Sequence, residues 1–448
     1  MSAVAEEKGL VSLYRPEFER FAGERRTDPP WLRALRAGAM ARFEELGFPA
    51  AGNEAWRYTN PAPIAKTAWR LAPPKDDALS ADQRQSSGAW KLPAGAQLVF
   101  VNGQYRADLS TLPPAGAKVR VMALGEALRD GKSGLDAKLA RHASWETQPF
   151  VAWNTAFFED GAFIHLGDGA VETHPIHLVF LSEEAREPSV SHPRTLILAG
   201  KGAQGSIVET YIGGGRYLTN AVTEIVAGDG SVIDHYKVQF ESMLGHHVHT
   251  VEVRQEQSSN FTSHNLALGG ALARTDVNVL LAAVGGECML NGLFVGNGAQ
   301  HLDNHTLIDH ASPHCSSREL YKGILDGKSR GVFHGKIIVR PDAQKTDAMQ
   351  TNRNMLLSRD ALVNSTPALE IRADDVKCRH GSTIGQIDQN AMFYLRSRGI
   401  SEEDARALLI YAFAADVAGR IRIPEIREGV EGFLGLRLPG AAGAGDLS

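Results

Sequence analysis

The stretch Val376-Lys377-Cys378-Arg379-His380-Gly381-Ser382-Thr383 holds residue types that could do chemistry together. If it is extended, its period of two puts Val376, Cys378 and His380 on one face and Lys377 and Arg379 on the other. A thiolate beside an imidazole suits a soft or borderline metal, yet a tetrahedral site takes four ligands and this pair supplies two. Glu370, Asp374 and Asp375 are near enough in sequence to be candidates for added oxygen ligands. Spacing alone reads equally well as a strand with no metal.

Two histidine groups compete with it: His246, His247 and His249, and His301, His305, His310 and His314 next to Cys315. His247 and His249 would share a strand face, but neither group fixes a ligand count, so buried or surface histidines are the plainer expectation. Cys288, in an apolar-leaning run, reads as a small buried hydrophobe. Gly323-Ile324-Leu325-Asp326-Gly327-Lys328-Ser329 imitates a phosphate loop and fails. Three residues rather than four separate its glycines, and Val332 to Ile338 alternates like a strand instead of opening a helix. With no nucleophile elbow and no dinucleotide fingerprint either, no nucleotide site is expected in the chain. Asp374 with Asp375, or Asp303 with Asp309, leave one enzymatic alternative open, a β-helix enzyme acting on polysaccharide with paired carboxylates. Low aromatic content, 7%, counts against it because sugar sites stack on aromatic rings.

The elements that must position these residues follow from length and pattern. A chain of 448 residues is too long for one compact core unless the core is a stacked repeat that grows along one axis. From about Gln97 to Arg372, short alternating or apolar runs are bounded by Gly, Asn, Asp and Ser: Gln97 to Val101, Ile176 to Leu181, Thr195 to Leu198, Val232 to Val238, His247 to Val253, Val277 to Ala282 and Val332 to Val339. No helix of ten residues is expected between them, which argues against a doubly wound fold. Small-residue turns lead into strands at Gly205-Ser206, Gly230-Ser231, Ser259-Asn260 and Gly286-Glu287, at steps of 25, 29 and 27. Such a period without helices fits a β-solenoid, with packed sandwich sheets as the competing arrangement.

Helices flank this middle. Leu32, Leu35, Met40, Phe43 and Leu46 make an amphipathic pattern stopped by Gly47, and Glu54 to Thr59 is an aromatic cluster expected to pack it onto the next domain. A polar connector is expected over 73–95. Ala391, Met392 and Leu395 predict a short helix ended by Gly399. Ser401-Glu402-Glu403-Asp404 resembles a capping box opening a second helix to Ala418 with Ala405, Leu408, Leu409, Ala412 and Phe413 as its apolar stripe. Pro424 begins a third helix, to Leu436, and 441–448 is expected to be a disordered tail. The expected units are 1–95, helical with a linker; 96–385, a β-helix core; and 386–448, helical with the tail.

Net charge of −5 and a pI near 6.4, with dispersed signs, give no footprint for nucleic acid and no membrane anchor. The longest apolar run, Ala407 to Ala415, is too short to span a bilayer, and Met1 to Arg20 lacks the apolar region of an export signal. Three cysteines cannot make a disulfide framework. A cytoplasmic protein is expected.

Ala373 to Gly385 followed by Phe393 to Ile400, together with Leu320 to Gly323, Gly335 to Ile337, Ala343 to Ala348 and Glu54 to Thr59, resembles the SufB/SufD family of iron–sulfur cluster scaffold subunits. The similarity runs from about residue 30 to 436. Within the family it favours the SufD branch. SufB-like chains tend to carry Glu-His-Glu-Ala where this one has Arg379-His380-Gly381-Ser382, and a cysteine near the position of Leu395, departures that speak against a main sulfur acceptor. The resemblance implies a mainly β chain with a right-handed parallel β-helix between N-terminal and C-terminal helical domains. It implies no enzymatic activity of its own, a SufB-like paralogue paired through the end of the β-helix, and a SufC-like ATPase bound through the C-terminal helices. His380, with Cys378 beside it, would contribute to a transient iron–sulfur cluster shared with the partner chain, which would explain the two-ligand deficit. A flavin in the complex, at a site the resemblance does not assign, and a homodimer of the isolated chain are compatible with it.

Overall fold

The computed structural model describes residues 11, 14–50, 52–73, 92, 95–112, 118–131 and 133–437. The expected tail, and the connector apart from Pro73, Leu92 and Gly95, lie outside the described residues. The middle of the chain forms two long sheets whose strands are almost all parallel and whose consecutive strands belong to opposite sheets. Consecutive strands of a sandwich would usually pair within one sheet; here each coil contributes one strand to each, giving a β-solenoid of about eight turns. One sheet stacks Tyr217–Ala227, His246–Gln255, Leu272–Leu281, His301–His310, Arg330–Val339 and Leu362–Ile371. The other stacks Gln204–Gly213, Val232–Phe240, Asn260–Ala267, Glu287–Gly296, Ser316–Leu325, Asp347–Leu356 and Lys377–Gly385.

The register sharpens the sequence periods. Gln204 pairs with Val232, Val232 with Asn260 and Asn260 with Glu287, so these coils are 28, 28 and 27 residues long. The expected first step of 25 is short because Gly205-Ser206 already lies in its strand, whereas Gly230-Ser231 is still in the turn before one. Inside, large residues of one coil fill the space that glycine leaves in the next. A Cβ on Gly292 would sit 2.1 Å from the Tyr321 ring. Gly292→Ala should therefore cost roughly 1–3 kcal/mol, read as a lowered urea midpoint; an unchanged midpoint would contradict this packing.

The N-terminal helices cover one face of the solenoid. They are α1 (Tyr14–Glu24), α2 (Pro30–Leu46), α3 (Ala62–Ala65), α4 (Leu124–Asp130) and α5 (Pro149–Phe157). Helix α2 is the amphipathic helix of the pattern, with Pro30 in its first turn and Gly47 ending it at φ +67°. The period did not mark α5, because all of Phe150 to Phe157 is buried and the helix has no polar side. Trp153 of α5 stacks on Phe43 at 5.4 Å. The Glu54–Thr59 cluster docks the segment on the solenoid as expected. Trp56 stacks on Phe150 at 5.2 Å with the Arg274 guanidinium 4.1 Å from its ring centre, and Thr59 donates to Asp303 at 2.6 Å.

After the last strand come α6 (Gln389–Ser397), α7 (Glu402–Ala418) and α8 (Pro424–Arg437). Ser401 caps α7, its hydroxyl taking the Asp404 N–H at 3.0 Å. The buried stripe of α7 is Ala407, Ile410, Ala414 and Val417, packed with Ile421, Ile426 and Val430 against outward residues of the second sheet, among them Val238, Leu266 and Leu293. This corrects the expected stripe in part: Ala405 is buried as expected, Leu409 and Phe413 are half-buried but pack against the same cluster, Leu408 is half-buried and Ala412 is exposed. An almost continuous apolar run gives the period no polar side to choose against. Lys322 pins the helix, donating to Asp416 at 2.7 Å and to the Phe413 carbonyl at 2.8 Å.

Candidate functional site at the open end of the solenoid

Because every coil repeats the same inward parity, residues stack in columns along the axis. One column of the second sheet reads Phe261, Cys288, Ser317, Ala348 and Cys378; the next reads Ser263, Leu290, Glu319, Gln350 and His380. Cys378 and His380 therefore share a face, and it is the face that points inward in all preceding coils. In the last coil that face is uncovered. Lys377–Gly385 pairs with Asp347–Leu356 on one side and, among the described residues, has no strand on the other. Cys378 is half-buried and His380 is exposed. Burial pushes the Cys378 thiol up, so it holds its proton until something positive replaces it. An unpaired strand edge beside an uncovered apolar column is a surface that ordinarily must be covered.

The oxygen ligands considered from sequence do not join this pair. Glu370 sits on the other sheet, bound to Lys336 at 2.9 Å and to Arg372. Asp375 pairs with Lys345 at a turn, and Asp374 is exposed. Among the described residues no group of three or more His, Cys, Asp or Glu could hold a metal ion. Among the described residues Cys378 and His380 therefore gain no third candidate ligand.

The other sequence candidates are structural. His247 and His249 lie inside the solenoid, His247 Nδ1 2.9 Å from Glu241 and His249 Nε2 3.1 Å from the Thr223 hydroxyl. His246 faces outward against Trp69. In the second group His301 bonds Thr59, His305 bonds Asp303, and His310 turns inward to Ser317, so alternation sends them to different faces. Cys315 is buried and donates to the Ala283 carbonyl at 3.3 Å, and Cys288 is enclosed in the core, where burial drives its thiol well up. The paired carboxylates fare no better. Asp303 is buried under Arg274 and His305, and Asp309 is paired with Arg340. Six residues along one strand also separate them by ~20 Å, far beyond the spacing glycoside hydrolysis uses. The phosphate-loop imitation is strand, turn and strand, with Gly327 at φ +61° in the turn.

Sequence reasoning missed the charged residues of the interior. Lys237 is fully enclosed, donates to Thr275 at 2.6 Å, and is pushed by burial down to about 7 against the pull of Glu241 and Glu209. Glu319 is equally enclosed. For Glu319 the parity was visible, since it shares it with Tyr321 two positions away; Lys237 shares its parity with His235 and Gln239, which reads as a polar face.

Comparison with known proteins covers both the N-terminal segment and the solenoid. The SufBD core domain of the SUF system for FeS cluster assembly matches residues 180–413, and the SufBD protein N-terminal region matches 5–178. The chain belongs to the SufBD family. The iron–sulfur cluster assembly protein SufD of Escherichia coli is 30% identical over 413 residues, covering 90% of this chain and 92% of that one. An iron–sulfur cluster assembly SufBD family protein of Synechocystis is 30% identical over 88% of each chain. The chloroplastic protein ABCI7 of Arabidopsis thaliana is 35% identical over 59% of this chain and 58% of its own. SufBD membership gives the chain a role in iron–sulfur cluster assembly. No helix among the described residues is long and apolar enough to cross a membrane.

Proposed function

We propose that this SufBD-family chain is a non-catalytic scaffold subunit that offers His380, with Cys378 beside it, to a nascent iron–sulfur cluster completed by a SufB-like paralogue docked on the open end. The observation that carries the reading is the placement of a thiol and an imidazole as the last members of two inward columns, on a strand whose outer edge is unpaired. Two soft or borderline ligands at an uncovered surface are half of a cluster site, and a docked chain would both cover the edge and supply the rest. His380 is the leading ligand, since it is exposed while Cys378 is half-buried with its thiol pushed up.

A SufC-like ATPase is assigned to the C-terminal helices. Their buried stripe packs on the solenoid, which leaves Phe393 and Tyr394 of α6, 75% and 57% exposed, to receive it. ATP-driven closure of two such ATPases would pull on these helices and open the interface at the solenoid end to iron and sulfide. Anaerobic reconstitution of the full complex with His380→Ala tests the site. Cluster yield should fall at least about tenfold, the loss of more than 1.4 kcal/mol of ligation, with a smaller loss for Cys378→Ser. An undiminished yield with His380→Ala would sink the assignment. Purification of the tagged chain without an ATPase subunit would sink the partner.

A further inference from the structure

Behind His380 the same column runs inward through Gln350 to Glu319, one coil apart at each step. Glu319 is 3% exposed and Gln350 1%. The Gln350 amide nitrogen donates to Glu319 Oε2 at 2.7 Å, and its Oε1, equally buried, has no hydrogen-bond partner among the described residues. A carboxylate on one side of a primary amide fixes its orientation, because only the NH2 end can donate. The orphaned oxygen must then accept from elsewhere, and His380 is the next residue of its column.

The opposite sheet is cut to fit. Thr306, Gly335 and Pro367 are successive residues of one column there. Thr306 sets its hydroxyl beside Glu319. A Cβ on Gly335 would lie 2.2 Å from the Gln350 amide nitrogen, so glycine is what lets that amide enter. Several buried carboxylates have cationic or imidazole partners: Glu224 has Arg194, Glu241 has His247 and Asp303 has Arg274, whereas Glu252, like Glu319, is held by amides, those of Asn278 and Gln148. The groups that face Glu319 are Gln350, Thr306, Tyr321 and Cys288, none of them cationic, and His310, bonded to Ser317 of the same strand, is held neutral by burial at about 4. A buried carboxyl kept without a counter-charge is costly unless it serves something.

We infer that Glu319 and Gln350 are positioning residues for the terminal site: Glu319 orients the Gln350 amide, and Gln350 Oε1 accepts the N–H of one His380 ring nitrogen, leaving the other as the donor atom presented at the open end. A ligating imidazole ordinarily has its second nitrogen held in this way, which fixes tautomer and ring orientation together. The inference rests on His380 being the ligand, but the proposed bond involves residues of this chain alone.

The test is the ring nitrogen spectrum of His380 in the full-length chain labelled with 15N-histidine, taken at pH 8, with the signal assigned by its loss in His380→Gln. Wild type should favour one tautomer by about tenfold, the ratio a net hydrogen bond supports. Glu319→Gln frees the amide to turn over, Gln350→Leu removes the acceptor and Gly335→Ala displaces the amide without touching a polar group; each should bring the ratio to within about twofold of unity. An unchanged ratio in Glu319→Gln, an isosteric variant, overturns the inference even if the other two variants fail to fold. Cluster yield is a separate measurement. A normal yield with His380→Ala defeats the ligand reading and leaves the tautomer result standing, whereas a lost yield with an unmoved tautomer ratio defeats this inference alone.

Discussion

Glu224→Ala should destabilise the chain by about 3–5 kcal/mol, because it strands Arg194 as a buried charge without a counter-charge. Both side chains are 0% exposed and 2.6 Å apart. Glu224 also accepts the backbone N–H groups of Ala140 at 2.9 Å and His142 at 2.8 Å, tying the N-terminal segment to the solenoid wall. Those donors would lose their acceptor in the same substitution, which should place the loss toward the upper end of that range. Glu224→Gln keeps an acceptor and should cost less. Guanidinium unfolding followed by hydrogen exchange checks both size and place. A solenoid coil touches only its neighbours, so the drop in protection relative to wild type should be largest around 194–227 and smallest near 377–385. A loss below about 1 kcal/mol would show that the pair is relieved in some other way.

Glu319→Gln should do the reverse, and only above acid pH. Burial raises the Glu319 carboxyl from 4.5 to about 7, with Thr306 and Gln350 pulling the other way. The folded state thus holds a proton that the unfolded chain has released between pH 4.5 and 7, and stability falls as pH rises through that window. Above it the cost is complete, about 3 kcal/mol for ~2.5 units. The isosteric amide has no such cost, so the variant should match wild type near pH 4 and exceed it by that amount at pH 8. Glu252, also raised by burial to about 7, gives both proteins the same additional slope, and it cancels in the difference. Lys237 acts with the opposite sign at higher pH, since burial lowers it from 10.5 to about 7 and stability from that source rises above neutrality. Parallel curves for wild type and Glu319→Gln across pH 4 to 8 would refute the assigned environment.

These effects come from residues that pattern reading passes over. Val232–Phe240 could be read as a strand because its alternation is regular, and the face shared by Cys378 and His380 followed from parity alone. Helix α5 could not be read, because burial on all sides removes the contrast that makes a period. The stripe of α7 was partly displaced for a related reason, its second half being apolar nearly all round. Glu370 and Asp375 were near the site in sequence and absent from it in space, since eight residues in a solenoid suffice to change sheets. Glu319 and Gln350 are the opposite case: 61 and 30 residues from His380, they are its column neighbours because coils return the chain to one place.

That return also sets what length changes the molecule tolerates. Turns between strands absorb small insertions, as coils of 27 and 28 residues in succession already show. A residue added within Lys377–Cys378 would instead send His380 to the outer face. A duplicated coil would do neither: it would keep every face and push the open end about 4.8 Å further from the N-terminal helices. The spacing between the two ends of this molecule is therefore quantised, and evolution can tune it only in whole coils.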